Sequence, residues 1–197
     1  MILPIRAIAG VLLVGALFTA GGALAHITPP VVLVSERDAL ASQLAGAKQL
    51  SLREVSLTPE ERKAVQATYG WRAQDEVYPV YMGRDDAGKL LGASLFVTEA
   101  TIHGTIRVAV ALTPDGRVKS AEVVELAEEI YAQMRPLMER GFTKRFTGLA
   151  VGSSFEPPAA SGSGADALAQ HYDSLVGRMV QHAVILYNVG VMKRGVT

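Results

Sequence analysis

The chain contains four histidines, His26, His103, His171 and His182, and no cysteine. His171 and His182 stand eleven positions apart, which on a helix is three turns and nearly the same face. That separation of roughly 16 Å prevents the pair from sharing one small ion, although either could serve a metal or a haem b held between helices. His103 precedes Gly104 at the entrance to an alternating apolar stretch, so an imidazole donor stands beside backbone that a ligand can approach closely. Glu128 and Glu129 mark a transition from strand-like to helix-like pattern. An acid pair there can hydrogen-bond the polar edge of a ligand, and is equally at home as the first turn of a helix. Lys144 and Arg145 offer two cations for a phosphate, or a solvated face. No His-x-x-x-His, Gly-x-Ser-x-Gly, Walker loop or Gly-x-Gly-x-x-Gly is present. Such residues can hold and orient a group. They give no support to hydrolase, kinase or dehydrogenase chemistry.

The composition narrows the classes further. Lys and Arg number 19 and Asp and Glu number 19, so the net charge is zero and nothing draws the chain to nucleic acid. The absence of cysteine removes disulfides, thiolate metal sites, iron–sulfur ligation and thiol nucleophiles together. Aromatic residues make up 6%, too few for a stacking platform for bases or sugars, while 49% hydrophobic residues are ample for a core. Residues 7–25, AIAGVLLVGALFTAGGALA, carry no charge and follow Arg6. Ala23-Leu24-Ala25 suits a signal peptidase, whereas the length suits an uncleaved membrane helix. On both readings Arg6 stays in the cytoplasm and the rest of the chain lies on the extracytoplasmic side. The expected organisation is a signal peptide or single transmembrane anchor over 1–25, a linker over 26–34 and one domain over 35–197.

The elements that must position these residues are legible in outline. Pro29-Pro30 favours an extended exit from the membrane. Ser35 reads as an N-cap for a helix ending at Gly46, and 48–57 as a strand with imperfect alternation. Thr58-Pro59-Glu60-Glu61 combines a cap, a first-turn proline and a capping-box acid, predicting a helix from Pro59 to Tyr69 stopped by Gly70. Strands are expected over 76–82, 89–97, 104–112 and 117–124. Turns at Asp85-Asp86-Ala87-Gly88 and Thr113-Pro114-Asp115-Gly116 join them in pairs. Ile106, Val108, Val110 and Leu112 alternate with small or polar residues, predicting a half-buried antiparallel sheet. A helical pattern interrupted at Pro136 and Gly141 covers 127–149, and 151–165 reads as a surface loop. The final segment, 166–192, sets Leu168, Tyr172, Leu175, Met179, Val180, Ala183, Val184 and Tyr187 on one broad face of a long helix. The fold class is α+β, with antiparallel hairpins flanked by helices.

In the stretch KLLGASLFVTEATIHGTIRVAVALTPDGRVKSAEVVELAEE the sequence resembles the FMN-binding domain family. That family includes the flavin subunits of the sodium-pumping NADH:quinone oxidoreductase and of the Rnf complex, periplasmic domains on one amino-terminal membrane helix. His103-Gly104-Thr105-Ile106 matches the family's entry into a strand, and Ala111 through Val118 its "V-x-L-D-x-D-G-x-I" hairpin. Glu128-Glu129 stands where the family has a Glu-Thr pair beside the flavin, and Phe142-Thr143-Lys144-Arg145-Phe146 looks like its "F-x-K/x-Q-F" helix. The likeness covers residues 76–150 well and the ends more loosely. It departs at the flavinylation motif Ser-Gly-Ala-Thr, whose threonine carries FMN as a phosphoester. One register sets Ser161-Gly162-Ser163-Gly164-Ala165-Asp166 there; the other puts His171 and Tyr172 at the motif's end. Neither supplies the threonine. The resemblance therefore implies noncovalent FMN, with His103, Gly104, Glu128, Glu129, Lys144, His171 and Tyr172 as the binding residues. It implies an electron-transfer subunit on the periplasmic face of the inner membrane, partnered by other subunits of a respiratory or photosynthetic complex. Two alternatives stand beside it: an accessory or assembly subunit that keeps the fold without flavin, and a secreted soluble binder of flavin or another small ligand.

Overall fold

The computed structural model describes residues 30–74, 76–157 and 164–195, with 164–166 described as backbone only. The amino-terminal apolar segment, His26, and the Ser161-Gly162-Ser163 register of the flavinylation motif lie outside the described residues.

Among the described residues six strands, β1 (Val31–Val32), β2 (Gln49–Ser56), β3 (Val77–Arg84), β4 (Leu90–Thr101), β5 (Gly104–Leu112) and β6 (Val118–Leu126), form one antiparallel sheet in the order β1-β6-β5-β4-β3-β2. Among the described residues four α-helices accompany them: α1 (Glu36–Gln43), α2 (Pro59–Tyr69), α3 (Glu128–Glu139) and α4 (Gly164–Tyr187). The α+β class is as expected. The extended exit at residues 31–32 is itself a strand, with Val31 opposite Leu126 and Val32 opposite Glu125.

Local chemistry sets the element ends. Ser35 Oγ accepts from the Asp38 N–H and starts α1, which closes at Gln43 with Leu44 as C-cap, short of the expected Gly46. In α2, Thr58 and Glu61 exchange both capping-box hydrogen bonds and Gly70 ends the helix in the left-handed region. β4 runs to Thr101, beyond the expected end at residue 97, because Thr98 to Thr101 continue the ladder against Arg107 to Gly104. The connection to β5 is thus a tight hairpin at Ile102-His103. Pro136 lies within α3 without ending it; the break comes at Gly141 (φ +64°), followed by the 3₁₀ turn Phe142–Phe146. The last helix is α to Tyr187 and then widens into a π turn, Asn188–Met192.

The core lies between one face of the sheet and α4. Ile106, Val108, Val110 and Leu112 of β5, with Val80, Met82, Ala93 and Leu95 of the neighbouring strands, meet Tyr172, Val176, Met179, Ala183 and Tyr187. Ala167–Met192 is long and apolar enough to cross a membrane, but most of it is buried in this core. At Gly190 the π turn passes so close to β2 that a methyl group there would overlap Val55.

The expectation of a half-buried sheet needs correction. Ala109 and Ala111 are as buried as their apolar neighbours, and α1 packs on this second face through Ala39, Ala109, Val124, Val34 and Phe96. Small side chains on β5 leave room for the helix. Polar contacts pin it: Arg107 Nη2 and Tyr81 Oη donate to Glu36 at 2.6 and 2.7 Å, and buried Ser94 Oγ donates to Gln43 Oε1 at 2.7 Å. The Arg107 guanidinium also stacks over Phe96.

Candidate functional site

The β4–β5 hairpin and the first turns of α4 enclose a cleft of about 470 Å³ lined by Glu99, Ala100, Thr101, Ile102, His103, Leu168, His171, Tyr172 and Leu175. Leu168, His171, Tyr172 and Leu175 follow the i, i+3, i+4, i+7 spacing that puts side chains on one helix face. The opposite wall is the turn. Thr101 Oγ1 accepts from the His103 N–H at 3.1 Å and donates to the Gly104 carbonyl at 2.9 Å, which fixes His103 at the tip. Ile102 beside it is 95% exposed, an apolar side chain at the rim of the cleft.

Gly104 has a backbone role. Its φ is +111°, and a Cβ built on it would overlap the Ala127 methyl group. Ala127, the N-cap of α3, donates its N–H to the Thr105 carbonyl at 2.9 Å, so hairpin and helix are drawn together at this point. The consequence is that the first turn of α3 faces the hairpin tip. His103 Nδ1 lies 3.4 Å from Glu129 Oε2, an ion pair when the imidazole is protonated. Burial holds the Tyr172 hydroxyl above the usual phenol range, and the charge of Glu129 adds to that. The His171 ring meets Tyr172 edge-on, with centroids 5.4 Å apart. His103, Gly104, Glu129, His171 and Tyr172 therefore gather in one corner. Tyr172 is 1% exposed and forms the floor, whereas His171 is exposed at the wall.

Glu128 and Lys144 fall elsewhere. Glu128 is exposed in the first turn of α3, where an acid complements the helix dipole, and does not line the cleft. Lys144 is exposed in the 3₁₀ turn, with its stem along Gly141. Arg145 is a structural tie. Its guanidinium stacks on Phe146, donates to the Phe155 and Asp173 carbonyls at 3.2 and 3.4 Å, and stands 2.8 Å from Asp173 Oδ1. Burial lowers the pKa of Arg145 and raises that of Asp173, each opposed by the partner's charge. Among the described residues Arg145 Nη1 has no hydrogen bond, and the 2.8 Å approach of Nη2 to Asp173 Oδ1 is an ion-pair contact without hydrogen-bond alignment.

His182 is far along α4 from His171 and lies flat on Trp71, with centroids 4.2 Å apart and planes 14° from parallel. Burial, and then Arg178, depresses its pKa to about 4. Among the described residues no cluster of three or more His, Cys, Asp or Glu is arranged to hold a metal. A smaller hollow of 230 Å³ at Leu33, Val34, Glu122, Val123, Met138, Phe142 and Thr143 includes none of the expected site residues.

Sequence reasoning missed two parts of the site. Leu168 and Leu175 are legible as an apolar helix face, but not as a face shared between core and cleft. Thr98 to Thr101 carry only one apolar residue, Ala100, so the strand extension that forms the other wall gives too little periodicity to be read. Comparison with models of known protein families and with curated protein sequences finds no match to this chain.

Proposed function

We propose that this chain is an extracytoplasmic, membrane-associated electron-transfer subunit that holds FMN noncovalently in the cleft between the β4–β5 hairpin and α4. The observation that carries this reading is the meeting of His103, His171 and Tyr172 around an apolar-walled cleft of about 470 Å³. That volume is within the ~300–1,000 Å³ range of small-molecule and cofactor sites. Leu168, Leu175 and the Tyr172 ring suit the face of a planar ring system, and His103 suits its polar edge. Bound FMN would supply the electron-carrying chemistry; the chain's own residues bind the ring, orient it and exclude water. Its partners on this reading are other subunits of a membrane complex, and residues 7–25 carry its association with the membrane.

A second reading is favoured by a separate observation. Among the described residues no lysine or arginine lines the cleft, Glu99 does, and Arg145 is committed to Asp173. A phosphate is poorly served there, and a domain that keeps the fold as a flavin-free accessory subunit accounts for that. The two readings part on an absorption spectrum of the full chain extracted from its host membranes, taken before and after acid precipitation. Flavin bands that move to the supernatant support the noncovalent carrier. A colourless protein recovered with its membrane complex overturns it in favour of the accessory subunit.

A further inference from the structure

Among the described residues β2 is the last strand of the sheet, and no strand pairs with its outer edge. Its covered part is the carboxyl end. Arg194 donates to the Ser56 carbonyl and pairs with Glu61, and Arg53 Nη1 donates to the Gly195 carbonyl at 3.0 Å. The edge from Lys48 to Glu54 carries no such backbone contact among the described residues: Lys48 to Leu52 and Glu54 are exposed, and Arg53 is half-buried. Side chains alternate across a strand, so Lys48, Leu50, Leu52 and Glu54 share the face opposite buried Val55. Leu50 is 59% and Leu52 54% exposed, beside a shallow hollow bounded by Leu40 and Ala41 of α1. Neither Lys48 nor Glu54 has an ion-pair partner among the described residues. A long edge strand with two exposed leucines is a template for another strand.

We propose that the β2 edge is the interface of a two-fold homodimer, in which β2 pairs antiparallel with β2 of a second copy about an axis at Ser51. The pattern of this strand is complementary to itself in that register. Lys48 faces Glu54 of the second copy and Glu54 faces its Lys48, while Leu50 faces Leu52 twice over. Gln49 faces Arg53. Centring the axis on Leu52 would set Leu50 against Glu54, and centring it on Arg53 would set two arginines together, so charge and apolarity select the register at Ser51. A two-fold contact of this kind is isologous and closes after two copies. It joins two sheets at the edge opposite β1, where the described chain begins.

The absence of cysteine makes the test direct. In a full-length chain carrying Ser51→Cys, the two thiols would stand on the axis, where antiparallel neighbours have Cα atoms ~4.5–5.5 Å apart, within disulfide reach. Gln49→Cys would place them about four residues, or ~13 Å, apart along the strands. Membranes holding each variant are oxidised mildly and resolved without reductant, and each variant's thermal unfolding is recorded to establish that the domain is folded. The expected result is a disulfide-linked dimer from Ser51→Cys at about ten times the yield from Gln49→Cys. Adding Glu54→Lys, which sets like charges opposite each other twice, should reduce that yield about tenfold, and further adding Lys48→Glu should restore it. No dimer from folded Ser51→Cys, equal yields at the two positions, or a charge swap that fails to restore the yield would overturn the proposal.

Discussion

A methyl group at Gly104 would occupy the space of the Ala127 side chain, and the φ of +111° there is one that other residues reach only under strain. Gly104→Ala should therefore destabilise the domain by about 2 kcal/mol, a fall of roughly 4–8 °C in Tm for a domain of this size. Adding Ala127→Gly should recover the steric part, and thermal unfolding of the single and double variants checks both. Gly104 was legible as a special backbone position. What approaches it was not, because Ala127 comes from an element beyond β6. His182 makes a second prediction at this scale. Its pKa is near 4 in the fold and about 6.5 in an unfolded chain, so the unfolded state binds the extra proton first. The stability this neutral ring contributes is complete above about pH 6.5 and is lost as pH falls toward 4, a change of roughly 3 kcal/mol. Asp173, with a raised pKa, acts in the opposite direction on acidification. His182→Phe keeps a ring on Trp71 and removes the titration. Its unfolding free energy, compared with that of the unsubstituted protein at pH 7 and pH 4.5, should lack the His182 share of the acid loss; an identical pH dependence in the two proteins would contradict the assignment.

At the scale of elements, local signals decide what can be read from sequence. The α2 helix is bounded by Thr58, Pro59, Glu61 and Gly70, all of which act within one turn of their own position, and its limits agree with expectation at both ends. The hairpin that walls the cleft depends instead on pairing between Thr98–Thr101 and the start of β5, a tertiary fact with no apolar alternation to announce it. Arg145 shows the same limit. Beside Lys144 in sequence it reads as half of a phosphate-binding pair, yet it ties the 3₁₀ turn to α4 and to the chain at Phe155. Arg145→Met should cost about 3 kcal/mol by stranding the Asp173 carboxylate, whereas Lys144→Gln, at an exposed position, should stay within about 0.5 kcal/mol. Combining Arg145→Met with Asp173→Leu should be less damaging than Arg145→Met alone, because no uncompensated charge remains. Denaturant unfolding of the four proteins measures these differences.

For the whole molecule, the class follows from the order of hairpins and helices, and the sheet bears out that class. The covering of its second face was harder to foresee, since Ala109 and Ala111 look like solvent-side spacers until α1 is seated on them. The cleft belongs to this scale as well. It exists because the β4–β5 hairpin overhangs the beginning of α4, and it joins residues from strands and helix that no short motif contains. Its occupation by a flavin is the central claim. The most direct measurement is the fluorescence of FMN during titration with the folded full chain, beside the same titration with Leu168→Trp, which fills the cleft from the α4 wall. Saturable quenching by the unsubstituted protein, weakened about tenfold or more in Leu168→Trp at unchanged Tm, is the expected result. Quenching that is absent from the unsubstituted protein, or equal in the two, would contradict it.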